Sequence, residues 1–319
     1  MNRFNYLTEK IQQATFSDDP FKHIYIENFF DEQDFSELIS DSQIKFDVVD
    51  TDEKLFEVLF EKGYEIIPFP GCVTSMKDYL TWKRGGKLIA DHSACSSSGM
   101  VLRMRPQSNL MKQLEDFLLS NAFNRVIADK FSLEFEVCEV DCGIQKYLDG
   151  YEISPHPDTR RKAATYMVNL NPHIESSAID YHTEYLRFND EWSHINEFWK
   201  STPTADRDWV PWDWCTSIKK QIVNNSIVLF SPSNDTLHAV KADYDHLRTQ
   251  RTQLYGNLWF ESSGTTYTPT WEQMKEGNFD DLTVQPGSFR KVLKRGRAVL
   301  GSIKRKLISP ENVRARKNR

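Results

Sequence analysis

The chain has 319 residues, 39% hydrophobic and 27% charged, a globular composition with enough apolar residues for a substantial core. No stretch approaches eighteen consecutive apolar residues, and no basic flank precedes an apolar segment near the start, so neither a membrane span nor a signal peptide is predicted and a cytoplasmic protein is expected. The net charge of -6 hides an asymmetry: residues 289–319 carry twelve Lys or Arg against the single acid Glu311, which leaves about -17 on the preceding body and about +11 on the tail.

The opening MNRFNYLTEKIQQATF is polar and weakly helical, and DPFKHIYIENFF then alternates apolar and polar residues as a half-buried strand does. Asp31 is a candidate N-cap for the helix DEQDFSELIS, and DEKLFEVLFEKG ends on Gly63, suited to a left-handed helix stop. Residues 84–100, rich in Gly and Ser, read as a loop, and SNLMKQLEDFLLSNAFNRVIADKF returns to helical spacing.

From about residue 133 the period changes to two, with strand candidates LEFEVCEV, GIQKYL, AATYMVNLN, TEYLRF, NSIVLFS and RTQLYGNLWF. Helices first and strands afterwards predict an α+β fold, a sheet supported by N-terminal helices. The expected division is a helical support region over 1–132, a strand-rich core over 133–262, a linker over 263–288 and a tail over 289–319. The core contains an insert, 189–221, with Trp192, Trp199, Trp209, Trp212 and Trp214; it forms either a small core over one sheet edge or a lid over a substrate mouth. Five cysteines without a CxxC pair predict reduced thiols, and Cys138 with Cys142 is read as structural rather than metal-binding.

In QKYLDGYEISPHPDTRRKAATYMVNLNP, His156 and Asp158 stand two apart beside a strand, a spacing that puts both side chains on one strand face. Two histidines and one carboxylate on one side of a non-haem iron leave positions open for oxygen chemistry. His238, after the strand SIVLFS and a turn, is the favoured second histidine, with His182 in DYHTEYLRF as its rival.

Over about residues 143–260 the chain resembles the prolyl-hydroxylase-like branch of the 2-oxoglutarate and Fe(II) dependent dioxygenases. The resemblance rests on Tyr147 and Gly150 ahead of His156 and Asp158, then Thr165, Asn169 to Asn171, His238, Arg251 and Trp259. It implies a double-stranded β-helix of the jelly-roll, cupin-like kind, Fe(II) held by His156, Asp158 and His238, and O2 and 2-oxoglutarate as co-substrates. It implies a hydroxylase that converts 2-oxoglutarate to succinate and CO2 while acting on a small molecule, a saccharide or a protein side chain; the carboxylate at 158 favours hydroxylation over halogenation.

The far carboxylate of 2-oxoglutarate calls for a planar donor. Arg248 is nearer the family's spacing after the distal histidine, but Arg251 has the strand parity of Trp259 and is favoured. Tyr147 is either a second donor to that carboxylate or a core tyrosine. The tail SFRKVLKRGRAVLGSIKRKL reads as a basic amphipathic helix for the acidic body, an anionic membrane surface or a polyanion. A non-catalytic barrel working through this tail and a nucleic-acid demethylase are the competing functions, the latter disfavoured by the acidic body.

Overall fold

A computed structural model describes residues 2–86, 95 and 99–276. The basic tail, the linker beyond residue 276 and part of the Gly- and Ser-rich loop lie outside the described residues. The N-terminal part runs α1 (Tyr6–Gln13), β1 (Ile24–Ile26), α2 (Glu32–Ser40), α3 (Asp52–Glu61), β2 (Tyr64–Ile66), α4 (Met76–Lys83), β3 (Val101–Met104), α5 (Asn109–Leu118) and α6 (Asn121–Lys130). Thr51, Ser75, Ser108 and Ser120 cap the last four of these helices by accepting the amide of the third residue onward, which satisfies one orphan donor at each start. Asp31 holds the N-cap position of α2 but makes no side-chain cap; its carboxylate takes the Lys10 ammonium at 2.8 Å instead. Gly63 ends α3 at φ 82, where a side chain would be strained.

The strand region follows as β4 (Cys138–Tyr147), β5 (Glu152–His156), β6 (Lys162–Asn169), β7 (Glu184–Phe188), α7 (His194–Ser201), β8 (Cys215–Lys220), β9 (Ile227–Phe230), β10 (His238–Lys241), β11 (Arg251–Phe260) and α8 (Trp271–Glu276). A seven-stranded sheet has the order β1-β9-β6-β11-β4-β3-β2 and a four-stranded sheet the order β5-β10-β7-β8, with every pairing antiparallel. The chain therefore crosses between sheets at β4–β5, β5–β6 and β6–β7, and again at β8–β9, β9–β10 and β10–β11. The end of LEFEVCEV and most of GIQKYL form the single strand β4, whose ten residues all pair with β11, while Phe135–Val137, expected as strand, form a 3-10 turn ahead of it.

Period two decides which way the central strand faces. Leu254 and Leu258 of β11 join Ile144, Tyr166 and Val168 in the main core, against Met111, Leu114, Phe117, Phe123 and Ile127 of α5 and α6. Arg251, Gln253 and Asn257 project from the opposite face and are buried too. This is why a strand with alternating polar residues is nonetheless covered on both sides.

The insert over 189–221 contributes α7 and β8, and β8 extends the small sheet by pairing with β7. Ile195, Phe198, Trp199, Val210 and Trp214 bury themselves with Leu186, Phe188, Leu237 and Ala239, forming a second core on the small sheet. Trp192 stacks on Trp214 with ring centroids 4.4 Å apart. Trp209 is the exception among the five, and it reaches the site described next.

Candidate functional site

His156 ends β5 and His238 opens β10, and the two stand directly opposite in the register of these paired strands. Their rings lie 4.3 Å apart, centroid to centroid. Each Nδ1 meets a carbonyl two residues back, Ser154 at 2.8 Å and Thr236 at 2.9 Å. A carbonyl can only accept, so both Nδ1 atoms carry the proton and both Nε2 lone pairs are left for a metal.

Asp158 does not share a strand face with His156, as the two-residue spacing suggested. It lies past the end of β5, beyond Pro157, at φ 65. The left-handed turn, uncommon for a residue other than Gly, aims its carboxylate back at the histidines. Its oxygens stand 3.6 Å from His156 Nε2 and 3.8 Å from His238 Nε2. Among the described residues this is the group of metal-ligating side chains that converges, with ligand atoms all within 4.8 Å of one another and all three residues buried. Two donors each about 2.1 Å from one ion stand about 3 to 4 Å apart, which both Asp–His separations meet.

The electrostatics suit a cation. Burial drives the His238 imidazole down to about 3, with His156 adding to the effect, so it is neutral at physiological pH. Burial pushes the Asp158 carboxyl up, but Lys162, His238 and His156 outweigh it and hold it well below the usual carboxylate range. Lys162 Nζ donates to Asp158 Oδ1 at 2.7 Å, and the Thr165 hydroxyl lies 3.0 Å from Oδ2 and 3.2 Å from Asn257 Oδ1. These contacts from β6 and β11 tie the carboxylate to the large sheet while the histidines belong to the small one.

Arg251, the first residue of β11, is 2% exposed. Its Nη2 donates to the Thr183 hydroxyl at 2.9 Å and to Gln253 Oε1 at 3.3 Å, while the buried Nη1 has no hydrogen-bond partner. Its cross-strand partner is Tyr147, whose ring centroid lies 4.4 Å from the guanidinium carbon, a cation–π contact. The Tyr147 hydroxyl donates to Gln145 Oε1 at 2.7 Å; burial pushes its pKa up to about 12 against the pull of Arg251, so it remains a proton donor. An orphaned guanidinium N–H inside a fold is costly unless something supplies an acceptor, and a carboxylate does so best.

The rival residues lie elsewhere. His182 is buried, with Nε2 2.9 Å from the Ser176 carbonyl, and is not part of the converging group. Arg248 keeps a side chain 77% exposed and pairs with Asp245 at 3.1 Å. Trp209 leaves the insert's core: its ring is 5.7 Å from that of His156 and stacks at 6.5 Å on Phe69. Lys162, Thr183 and Gln253 were not singled out from the sequence, although Gln253 shares the parity that marked Arg251, and Trp209 was read only as one of the insert's five tryptophans.

The fold and site together define a two-sheet antiparallel protein carrying a buried His, Asp and His cluster and a buried arginine with an open donor. No family model and no curated protein matches the sequence. Among solved structures, the chain is similar to a prolyl-4-hydroxylase from Pseudomonas putida, at 11% identity and TM-score 0.40 over 81% of this chain and 99% of that one. It is similar also to a Trichoplax adhaerens prolyl hydroxylase solved with a hypoxia inducible factor peptide fragment, at 11% identity and TM-score 0.40 over 82% of this chain and 90% of that one. A third is the epimerase SnoN in complex with Fe3+, alpha ketoglutarate and nogalamycin RO, at 8% identity and TM-score 0.39 over 82% of this chain and 87% of that one. Likenesses this distant carry no argument about activity; the residues of the site do.

Proposed function

We propose that this protein is an Fe(II) and 2-oxoglutarate dependent oxygenase, a hydroxylase built on a double-stranded β-helix. The alternation of strands β4 to β11 between two sheets supports that fold. The observation that carries the function is the pairing of two features. One is a buried set of two Nε2 lone pairs and one carboxylate within 4.8 Å; the other is the buried, unpartnered Nη1 of Arg251.

His156, Asp158 and His238 would hold the iron, and Lys162 and Thr165 would fix the carboxylate that faces it. Arg251, braced by Thr183 and backed by the Tyr147 ring, would hold the far carboxylate of 2-oxoglutarate. With iron, 2-oxoglutarate and O2 bound, the centre supplies oxidative decarboxylation to succinate and CO2 coupled to oxidation of a substrate C–H bond. The chain's own part is to bind, to orient and to exclude water: Trp209 and Phe69 wall the His156 side, and the carbonyls of Ser154 and Thr236 fix the imidazole protons away from the metal. The substrate is a small molecule, a saccharide or a protein side chain.

Anaerobic addition of Fe(II) and then 2-oxoglutarate tests this reading, with a charge-transfer band in the visible expected and succinate formed on admitting oxygen. Neither band nor succinate would favour a non-catalytic binding module instead.

A further inference from the structure

Asp158 is followed by Thr159 and Arg160, and the tryptophan-rich insert folds over this turn. Arg160 helps hold the insert down: its backbone N–H donates to Asp206 Oδ1 at 2.8 Å, its Nε to the Ala205 carbonyl at 2.7 Å, and its Nη2 to the Trp199 carbonyl. Arg207 is different. It is 7% exposed, it makes one side-chain hydrogen bond, from Nη2 to the Thr159 carbonyl at 3.1 Å, and its buried Nε has no partner.

No carboxylate pairs with it among the described residues, although three lie near enough to act on it through space: Asp158, Asp206 and Asp235. Each of the three is engaged. Asp158 is held by Lys162 and Thr165, Asp206 Oδ1 accepts the backbone N–H groups of Arg160 and Arg207, and Asp235 takes the Ser233 hydroxyl. Burial, and then repulsion from Arg160, lower the Arg207 pKa to about 10, so the guanidinium remains charged at neutral pH. A buried guanidinium with an open donor and no acceptor bonded to it is disfavoured unless an anion joins it.

Its place says which anion. Thr159, its one side-chain partner, adjoins the proposed metal ligand Asp158, and Trp209, two residues after Arg207, packs against His156. Arg251 bonds Thr183 and Gln253 instead, so the two guanidiniums serve different segments. We propose that Arg207 is a substrate-binding residue whose Nε–H receives an anionic oxygen, a carboxylate or phosphate carried by the molecule that the centre oxidises. This rests on the oxygenase reading and narrows its substrate to acidic compounds. The planar guanidinium suits both anions, and Arg160 beside it adds attraction without competing for the bond.

The test follows arginine Nε–H signals by NMR on the full chain, with sodium phosphate and sodium acetate as separate probes and Arg207→Lys to assign the signal. A saturable shift of the Arg207 signal with either probe is expected, and the responding probe names the anion. Loading with Mn(II) should then broaden that signal and, if phosphate responds, the 31P resonance of the bound probe. A shift that saturates without Mn(II) broadening supports the anion subsite but removes the metal reading beside it. No saturable shift with either probe, or a shift unchanged in Arg207→Lys, overturns the proposal. If Arg207→Lys fails to fold, Arg160→Lys and Arg251→Lys assign the signals of the other two arginines near the centre, the remaining arginine signal broadened by Mn(II) is that of Arg207, and the same titrations decide.

Discussion

Replacing Arg251 with Met gives the sharpest view of the co-substrate pocket. The side chain is 2% exposed and fixed by Thr183 and Gln253, with Nη1 left open, so it is already oriented and little entropy is spent when a carboxylate arrives. Truncating one partner of a buried, hydrogen-bonded charge pair costs roughly 2–5 kcal/mol. At about 1.4 kcal/mol per tenfold, the dissociation constant for 2-oxoglutarate should rise from about 30-fold to above about 1000-fold. Arg248→Met is the matching control: its guanidinium is exposed and its ion pair with Asp245 is of the surface kind, so the constant should stay within about fivefold. The assay is anaerobic titration of 2-oxoglutarate into the Fe(II)-loaded protein, read by visible absorption. An Arg251→Met constant within fivefold of the natural chain, or a larger effect from Arg248→Met, would refute the assignment.

Three further outcomes are expected. His156→Ala and His238→Ala should each lose stoichiometric Fe(II) on gel filtration while His182→Ala keeps it; metal retained in His238→Ala would remove that residue from the ligand set. Trp199 is wholly buried in the insert's core, so Trp199→Ala should destabilise by about 3–5 kcal/mol in urea unfolding. Trp209→Ala, from a partly exposed ring, should cost clearly less while still altering the metal spectrum, and equal costs would contradict the division drawn between these two rings. The hydrogen bond from His246 lowers the Asp52 pKa in the folded state, so its stabilising effect is present above the usual Asp range and is lost as pH falls through the depressed value. Asp52→Asn should therefore lower the melting temperature at pH 7, with the gap to the natural chain narrowing as pH falls below the usual Asp range, and a gap that does not narrow would point to another cause.

How far the sequence disclosed this architecture depended on where each strand lies. Strands β6, β7, β9 and β11 could be read because each has an apolar run long enough to show its period, and α5 and α6 because their apolar spacing is helical and their caps are serines. β5 was not read: all five of its residues are buried, including Glu152 and Ser154, so the alternation that marks a half-exposed strand is missing. β8 was lost for the opposite reason. It is an edge strand with mostly exposed side chains, and the tryptophans around it drew the segment into an insert. Its pairing with β7 is a long-range property that no local window contains.

The site shows the same division between what is local and what only a fold can supply. The parity argument that preferred Arg251 is a backbone rule, and on β11 it holds residue by residue: Arg251, Gln253 and Asn257 face one way, Leu254 and Leu258 the other. The strand-face argument for His156 and Asp158 used the same rule where it does not apply, because Pro157 and the left-handed turn at Asp158 end the strand. The two side chains still converge, through a turn that a two-residue spacing does not reveal. The remaining contributors, Lys162 and Thr165 on Asp158, Thr183 on Arg251 and Trp209 beside His156, come from three separate segments. Apart from Thr165, which the family resemblance named, and Trp209, one of the insert's tryptophans, each is an ordinary residue in its own sequence neighbourhood. What marks them is that burial leaves few acceptors in reach, so most polar groups find a partner from another segment; Arg207 Nε and Arg251 Nη1 are among the buried atoms that find none, and being charged donors they are where an anionic ligand is proposed.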